Sequence, residues 1–225
     1  MRLKRYGNGE NLKETIRIEA FSDGVFAIAI TLLVLELIET LHSENGAGLL
    51  HTFRNHWQSF FAFIIGFITL LVCWINHHAA FECIRKVDTN LIWINGFLLF
   101  LVTLTPLPTA ILAEYLEKES TTALAIFGFN YISIAVAAWS ICAYAYHRKI
   151  IYPETREFYY YYIVLYRYAI FYTIIAFLLC FVSTVVPIIL YIFMFSVFAA
   201  PKKFALFLSR RNKRKSHPVK HADHK

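Results

Sequence analysis

The chain has 225 residues, of which 58% are hydrophobic and only 16% charged, and its formal charge is +7 at pH 7. A soluble domain carries about 25% charged residues, so the composition excludes an ordinary soluble globular protein. The Lys and Arg residues sit at the ends of apolar runs and in the C-terminal tail, not interleaved along a polar groove, which argues against a nucleic-acid partner.

A membrane helix needs about 20 predominantly apolar residues. The chain opens on a polar, basic stretch (Arg2, Lys4, Arg5, Lys13, Arg17), and no small-residue cleavage site follows the first apolar run, which therefore reads as a retained signal anchor. Six spans are predicted, at 18–39, 57–79, 90–113, 121–146, 159–183 and 185–206. Pro106 and Pro108 fall late in the third and should kink or end it. Ser183 and Thr184 leave a tight hairpin between the last two, and Pro187 lies near the sixth helix's start, where a missing N–H is tolerated. The run Tyr159–Tyr162 reads as an interfacial aromatic belt. The fold class is all-α, a polytopic membrane bundle. Residues 1–207 form the transmembrane domain, and 208–225 a basic, disordered tail placed to meet anionic head groups or only to set topology.

Nineteen Lys and Arg residues fall on one side: the N-terminal segment, Arg85 and Lys86, Arg148, Lys149 and Arg156, and the tail. Arg54 and Lys118 fall on the other, and Arg167 lies within the fifth helix, where it either snorkels or pairs. This asymmetry predicts that both termini are cytoplasmic. The opposite end carries the acidic loop with Glu114, Glu117 and Glu119. No loop is long enough for a soluble catalytic domain, and no paired-carboxylate or nucleophile–base spacing points to an enzyme. Cys73, Cys83, Cys142 and Cys180 form no CxxC pair and read as reduced packing residues.

An ionisable group in the hydrocarbon layer needs a partner or a function. On a wheel of about 100° per residue, Ile28 and Leu35 differ by about 20°, with Thr31 and Leu32 on either side and Glu39 on the same stripe. Asp23 is about 140° away, with Ala27 and Ile30. By periodicity alone the Ile28 stripe reads first as a packing seam. Ser22, Asp23, Trp74, Asn76, His77, Asn95 and Arg17 share one depth near the basic end. They form either a hydrogen-bonded clamp between three helices or a proton or ion relay, and the clamp is preferred because a satisfied network resists rearrangement. Adjacent His77 and His78 diverge by about 100° on a helix, so a zinc site is not expected.

Arg17-Ile18-Glu19-Ala20-Phe21-Ser22-Asp23 fits the RxxxFSD signature that opens the first helix of the endosomal and lysosomal potassium channel family, transmembrane protein 175. The following GVFAIAITLLVLEL resembles its prokaryotic members, and Trp74, Asn76, His77, Trp93 and Asn95 fit the family's second and third helices. A single set of six helices is similar to those prokaryotic members. The resemblance implies a homotetrameric, potassium-permeable channel in a prokaryotic cell membrane, without a cofactor and with K+ as the permeant ion. Its first helix would line the pore. Ile28, Leu32 and Leu35 would form a hydrophobic constriction and Thr31 a hydroxyl layer, with Glu39 and Glu36 at the outer mouth. The RxxxFSD residues, Arg17, Phe21, Ser22 and Asp23, would pack toward Trp74, Asn76, His77, Trp93 and Asn95 and not into the pore. A proton-permeable channel and an ion-coupled secondary transporter using Asp23 and His77 are the alternatives.

Overall fold

A computed structural model describes residues 9–43 and 48–198. Eight α-helices follow in order among them: α1 (Gly9–Ser43), α2 (Leu49–Asn55), α3 (Trp57–Phe81), α4 (Thr89–Leu104), α5 (Pro106–Tyr115), α6 (Ser120–His147), α7 (Arg156–Leu179) and α8 (Val185–Phe198). A 3₁₀ turn at Pro153–Thr155 leads into α7. Five stretches are long and apolar enough to cross a membrane: Lys13–Glu39, Trp57–Phe81, Thr89–Tyr115, Ser120–His147 and Pro153–Leu179. The molecule is a multi-pass membrane helical bundle. α8 is a shorter apolar helix of 14 residues, about 21 Å long, and the rest of its predicted span lies outside the described residues, as does the tail 208–225.

Two features depart from the predicted elements. α1 begins at Gly9, nine residues before the predicted start, because neither Gly nor Pro interrupts Glu10–Ala20 and its polar residues continue the helix beyond the apolar run. The predicted loop between the first two spans contains the short helix α2.

The third span is one passage in two pieces. Neither Pro106 nor Pro108 has an N–H, and their rings crowd the preceding turn, so α4 stops and α5 starts at Thr105. The Thr105 N–H donates to the Val102 carbonyl at 3.1 Å, tightening the last turn. The Thr105 hydroxyl donates to Leu101 O at 3.2 Å and accepts from Asn130 Nδ2 of α6 at 3.1 Å. The break is therefore tied to a neighbouring helix through the Thr105 hydroxyl.

α1 packs on α3, α4 and α5, while α6 packs on α4, α5 and α7, and α7 on α8. At the crossing of α3 with α5, Gly66 lets the helices approach: a Cβ there would lie 2.9 Å from Thr109 Cγ2 and Oγ1 and 3.3 Å from Leu33 Cδ2. At the basic end, the loops after α3 and α6 join through the Ile84–Ile151 bridge, with Arg85 N to Ile150 O at 2.8 Å and Tyr152 N to Cys83 O at 2.9 Å. Asp88 caps α4 by accepting from Leu91 N at 2.9 Å, and its other oxygen accepts from Tyr144 Oη of α6 at 2.8 Å. All four cysteines carry free thiols.

Candidate functional site

The buried side of α1 is the line Thr15, Ser22, Phe26, Ala29, Leu33, each at most 2% exposed. Steps of three, four and seven residues put them on one face. The opposite side carries Ile28 (60% exposed), Leu32 (39%) and Leu35 (51%), with Thr31 and Glu39 also exposed. A membrane helix packed against three others thus keeps one apolar stripe uncovered within the chain. The Thr31 hydroxyl donates to Ile28 O at 2.8 Å. Its proton is thereby committed to the helix, and the lone pairs of its oxygen remain available on the exposed side. The Glu36 side chain lies outside the described residues.

Asp23, Ser22, Trp74, His77 and Asn95 come together beneath α1. Trp74 Nε1 donates to Asp23 Oδ1 at 2.8 Å, joining α3 to α1. Asn95 Nδ2 of α4 donates to Ser22 Oγ at 3.0 Å, and its Oδ1 lies 2.8 Å from His77 Nε2. With Asn95 Oδ1 as an acceptor, Nε2 carries the proton in this pair. His77 is 5% exposed, stacked on Phe81 at 4.4 Å between centroids and tilted against Phe26 at 5.6 Å. His78 points elsewhere, stacking on Trp74 and lying 3.5 Å from Glu82.

Four other residues assigned to this cluster are placed differently. Asn76 faces α7 and α8: its Nδ2 donates to Val72 O at 2.6 Å and Phe198 O at 3.0 Å, and its Oδ1 accepts from Tyr162 Oη at 2.7 Å. One residue on a helix is a turn of about 100°, so Asn76 and His77 cannot both face α1. Phe21 is 65% exposed and Trp93 75% exposed, because neighbouring Ser22 and nearby Asn95 take the inward directions. Arg17 is exposed too. Arg17 and Phe21 precede Ile28 by eleven and seven residues, within about 20° of its direction, so they extend the open stripe and not the cluster. Asp23 itself is half-buried, and Ala27, assigned to its side, is exposed.

The tyrosine run also divides. Tyr159 and Tyr162 are fully buried, whereas Tyr160 is 50% exposed. A spacing of three puts the first two on the core face, so Tyr162 serves as the partner of Asn76 and only part of the run can meet an interface. The pairing of Asn76 with a tyrosine 86 residues away left no local signal in the sequence.

At the acidic end, Glu39 of α1, Glu114 of α5, Glu117 and Lys118 line an open cleft of about 470 Å³ together with His56 and Gln58. Among the described residues no three His, Cys, Asp or Glu side chains are arranged to hold a metal ion.

Apolar helices of membrane-spanning length, with a buried polar cluster tying α1 to α3 and α4, define a polytopic membrane protein. Residues 17–106 match the family model described as Endosomal/lysosomal potassium channel TMEM175. The crystal structure of a lysosomal potassium-selective channel TMEM175 homologue from Chamaesiphon minutus is 35% identical, with a TM-score of 0.73, covering 84% of this chain and 98% of that one. The chain belongs to the TMEM175 family, a family of ion channels and not of enzymes. A potassium channel of Chamaesiphon minutus is 46% identical over 125 residues, 55% of this chain and 62% of that relative. A potassium channel of Streptomyces collinus is 39% identical over 126 residues, 56% of this chain and 61% of the relative. The matched part thus spans about three fifths of these curated relatives' length. The endosomal/lysosomal proton channel TMEM175 of Gallus gallus is 29% identical over 110 residues, 22% of its length.

Proposed function

We propose that this chain forms a homotetrameric, potassium-permeable channel in a prokaryotic cell membrane, its pore lined by the uncovered stripe of α1. The supporting observation is that stripe itself: Ile28, Leu32 and Leu35 are open within the chain while Phe26, Ala29 and Leu33 anchor the same helix to its neighbours. Bacterial relatives named potassium channels support the choice of ion.

Four stripes around one axis stack apolar rings that exclude water when narrow, and a dewetted ring stops ions. A small widening admits water and a partly hydrated K+. Four Thr31 oxygens, with protons turned back to the helix, then face the ion as acceptors. This oxygen ring is sparser than stacked carbonyl rings and discriminates less. Glu39, with Glu36, raises the local cation concentration at the acidic mouth. On α4, Trp93, Phe97 and Phe100 form a second exposed row, 75%, 55% and 57% exposed, that offers the neighbouring copy an apolar contact. Ser22, Asp23, Trp74, His77 and Asn95 hold α1 in position and lie outside the conduction path.

The test is potassium flux from liposomes containing the purified protein, with sodium and proton gradients as comparisons. Ile28→Asn is expected to raise K+ flux several-fold by wetting the constriction; unchanged flux counts against it. A proton path is the second reading, favoured by the buried His77–Asn95–Ser22 chain and by the proton-channel name of the vertebrate relatives. His77→Leu would abolish proton flux under that reading and spare it if the cluster is only a clamp.

A further inference from the structure

α7 carries an arginine where a lipid-facing helix is expected to carry none. Arg167 lies inside the apolar span Pro153–Leu179, and its side chain is exposed. It is about 21 Å along the axis from Pro153. The 27-residue span is about 40 Å long, against a hydrocarbon core of about 30 Å. Even with all the excess placed at the basic end, the Arg167 backbone is about 10 Å inside the hydrocarbon layer. Among the described residues no carboxylate pairs with it. α1 packs on α3, α4 and α5 and α7 on α6 and α8, so the outer face of α7 is on the side of the bundle that α1 does not reach.

The surroundings change along that face. Toward the acidic end, Phe171 (65% exposed), Ile174 (37%) and Leu178 (57%) continue the line of Arg167 at helical spacing, an apolar track for acyl chains. Toward the basic end, Arg156 and Tyr160 lie within about 40° of the same line. The Arg156 guanidinium sits 5.3 Å over the Tyr146 ring, which is 6.1 Å from the Tyr160 ring, and Arg148 and Lys149 are exposed beside them. A charge in the hydrocarbon is costly unless an anion reaches it. The anion that can reach this one is attached to apolar chains and enters from the basic side.

We propose that Arg156, Tyr160 and Arg167 form a binding site for one anionic phospholipid, its phosphate drawn down to the Arg167 guanidinium and its acyl chains lying along Phe171, Ile174 and Leu178. Arg156 and Tyr160 bracket the rest of the head group. The site is independent of how ions cross the protein.

The experiment is thermal unfolding of the purified full chain in detergent, titrated with phosphatidylglycerol, phosphatidylcholine or soluble glycerol 3-phosphate. Phosphatidylglycerol is expected to raise Tm and the other two are not. Arg167→Gln should lose most of that shift, Arg167→Lys should keep part of it, and Arg85→Gln, at the same end of the molecule, should keep it all. Equal shifts with both lipids, an equal shift in Arg167→Gln, or a full shift with glycerol 3-phosphate alone would overturn the proposal. If Arg167→Gln does not fold, photo-crosslinking of the wild-type chain with a photoactivatable phosphatidylglycerol decides: labels on residues 156–178 support the site, and labels only elsewhere refute it.

Discussion

Asn76 and Asp23 show how single polar residues act in an apolar bundle. The Asn76 side chain bonds to its own helix, to the Phe198 carbonyl of α8 and to the Tyr162 hydroxyl of α7, so one amide ties three helices. Its removal leaves Tyr162 Oη with only the Asn76 main-chain oxygen at 3.0 Å and Phe198 O without its donor. Leaving buried polar groups unsatisfied costs about 1–3 kcal/mol, and Asn76→Ala is expected to lose about that much stability in equilibrium unfolding. Tyr162→Phe should lose less, because it removes one donor from Asn76 Oδ1 while Asn76 Nδ2 keeps both of its acceptors. Asp23 makes a charge-assisted bond to Trp74, a class worth about 1.5–3 kcal/mol. Asp23→Ala and Trp74→Phe should each destabilise the α1–α3 contact, and the double variant should cost less than the sum, as measured in a double-mutant cycle. Additive costs would mean that the two side chains are not coupled.

At the level of elements, the α4–α5 break and the α3–α5 crossing depend on each other. Two prolines end α4 at Thr105, and α5 then presents Thr109 to Gly66 of α3. The Thr109 hydroxyl donates back to Thr105 O at 2.9 Å, so both branches of the side chain are held against the glycine. Gly66→Ala drives a methyl into both of them and into Leu33 of α1, and overpacking of this kind costs about 1–3 kcal/mol. The expected result is a lower unfolding midpoint for Gly66→Ala, restored in part by Thr109→Ser, which removes the crowding Cγ2. No restoration would mean that the helices, not the side chain, absorb the clash. Gly24 gives the contrast: nothing lies within 4 Å of a Cβ there, so Gly24→Ala should meet no clash and should raise stability by up to about 1 kcal/mol through helix propensity.

For the whole molecule, the proposed tetramer makes a prediction about the exposed stripe of α1. If four α1 stripes share an axis, a cysteine on the stripe meets its copies and one on the lipid face does not. Leu35→Cys, in a background with Cys73, Cys83, Cys142 and Cys180 changed to Ala, is expected to give disulfide-linked dimers on mild oxidation in membranes. Leu178→Cys on α7 should remain monomeric under the same conditions. The reverse pattern would place the shared axis on the other side of the bundle.

Hydrophobic run length and the placement of Lys and Arg were enough to read an all-helical membrane protein, and Pro106 and Pro108 were enough to place the break in its third span. These are local properties: each depends on residues adjacent in the chain. The RxxxFSD stretch likewise marked the family, because that signature is contiguous. What the sequence could not decide was direction. Asn76 and His77 are neighbours that serve different helices, Phe21 and Trp93 face outward beside inward-facing Ser22 and Asn95, and Tyr162 sits in a tyrosine run yet belongs to the core. Side chains one residue apart differ by about 100°, and which direction is buried depends on where the other helices lie. That is a property of the packed bundle, and only the tertiary structure settled it.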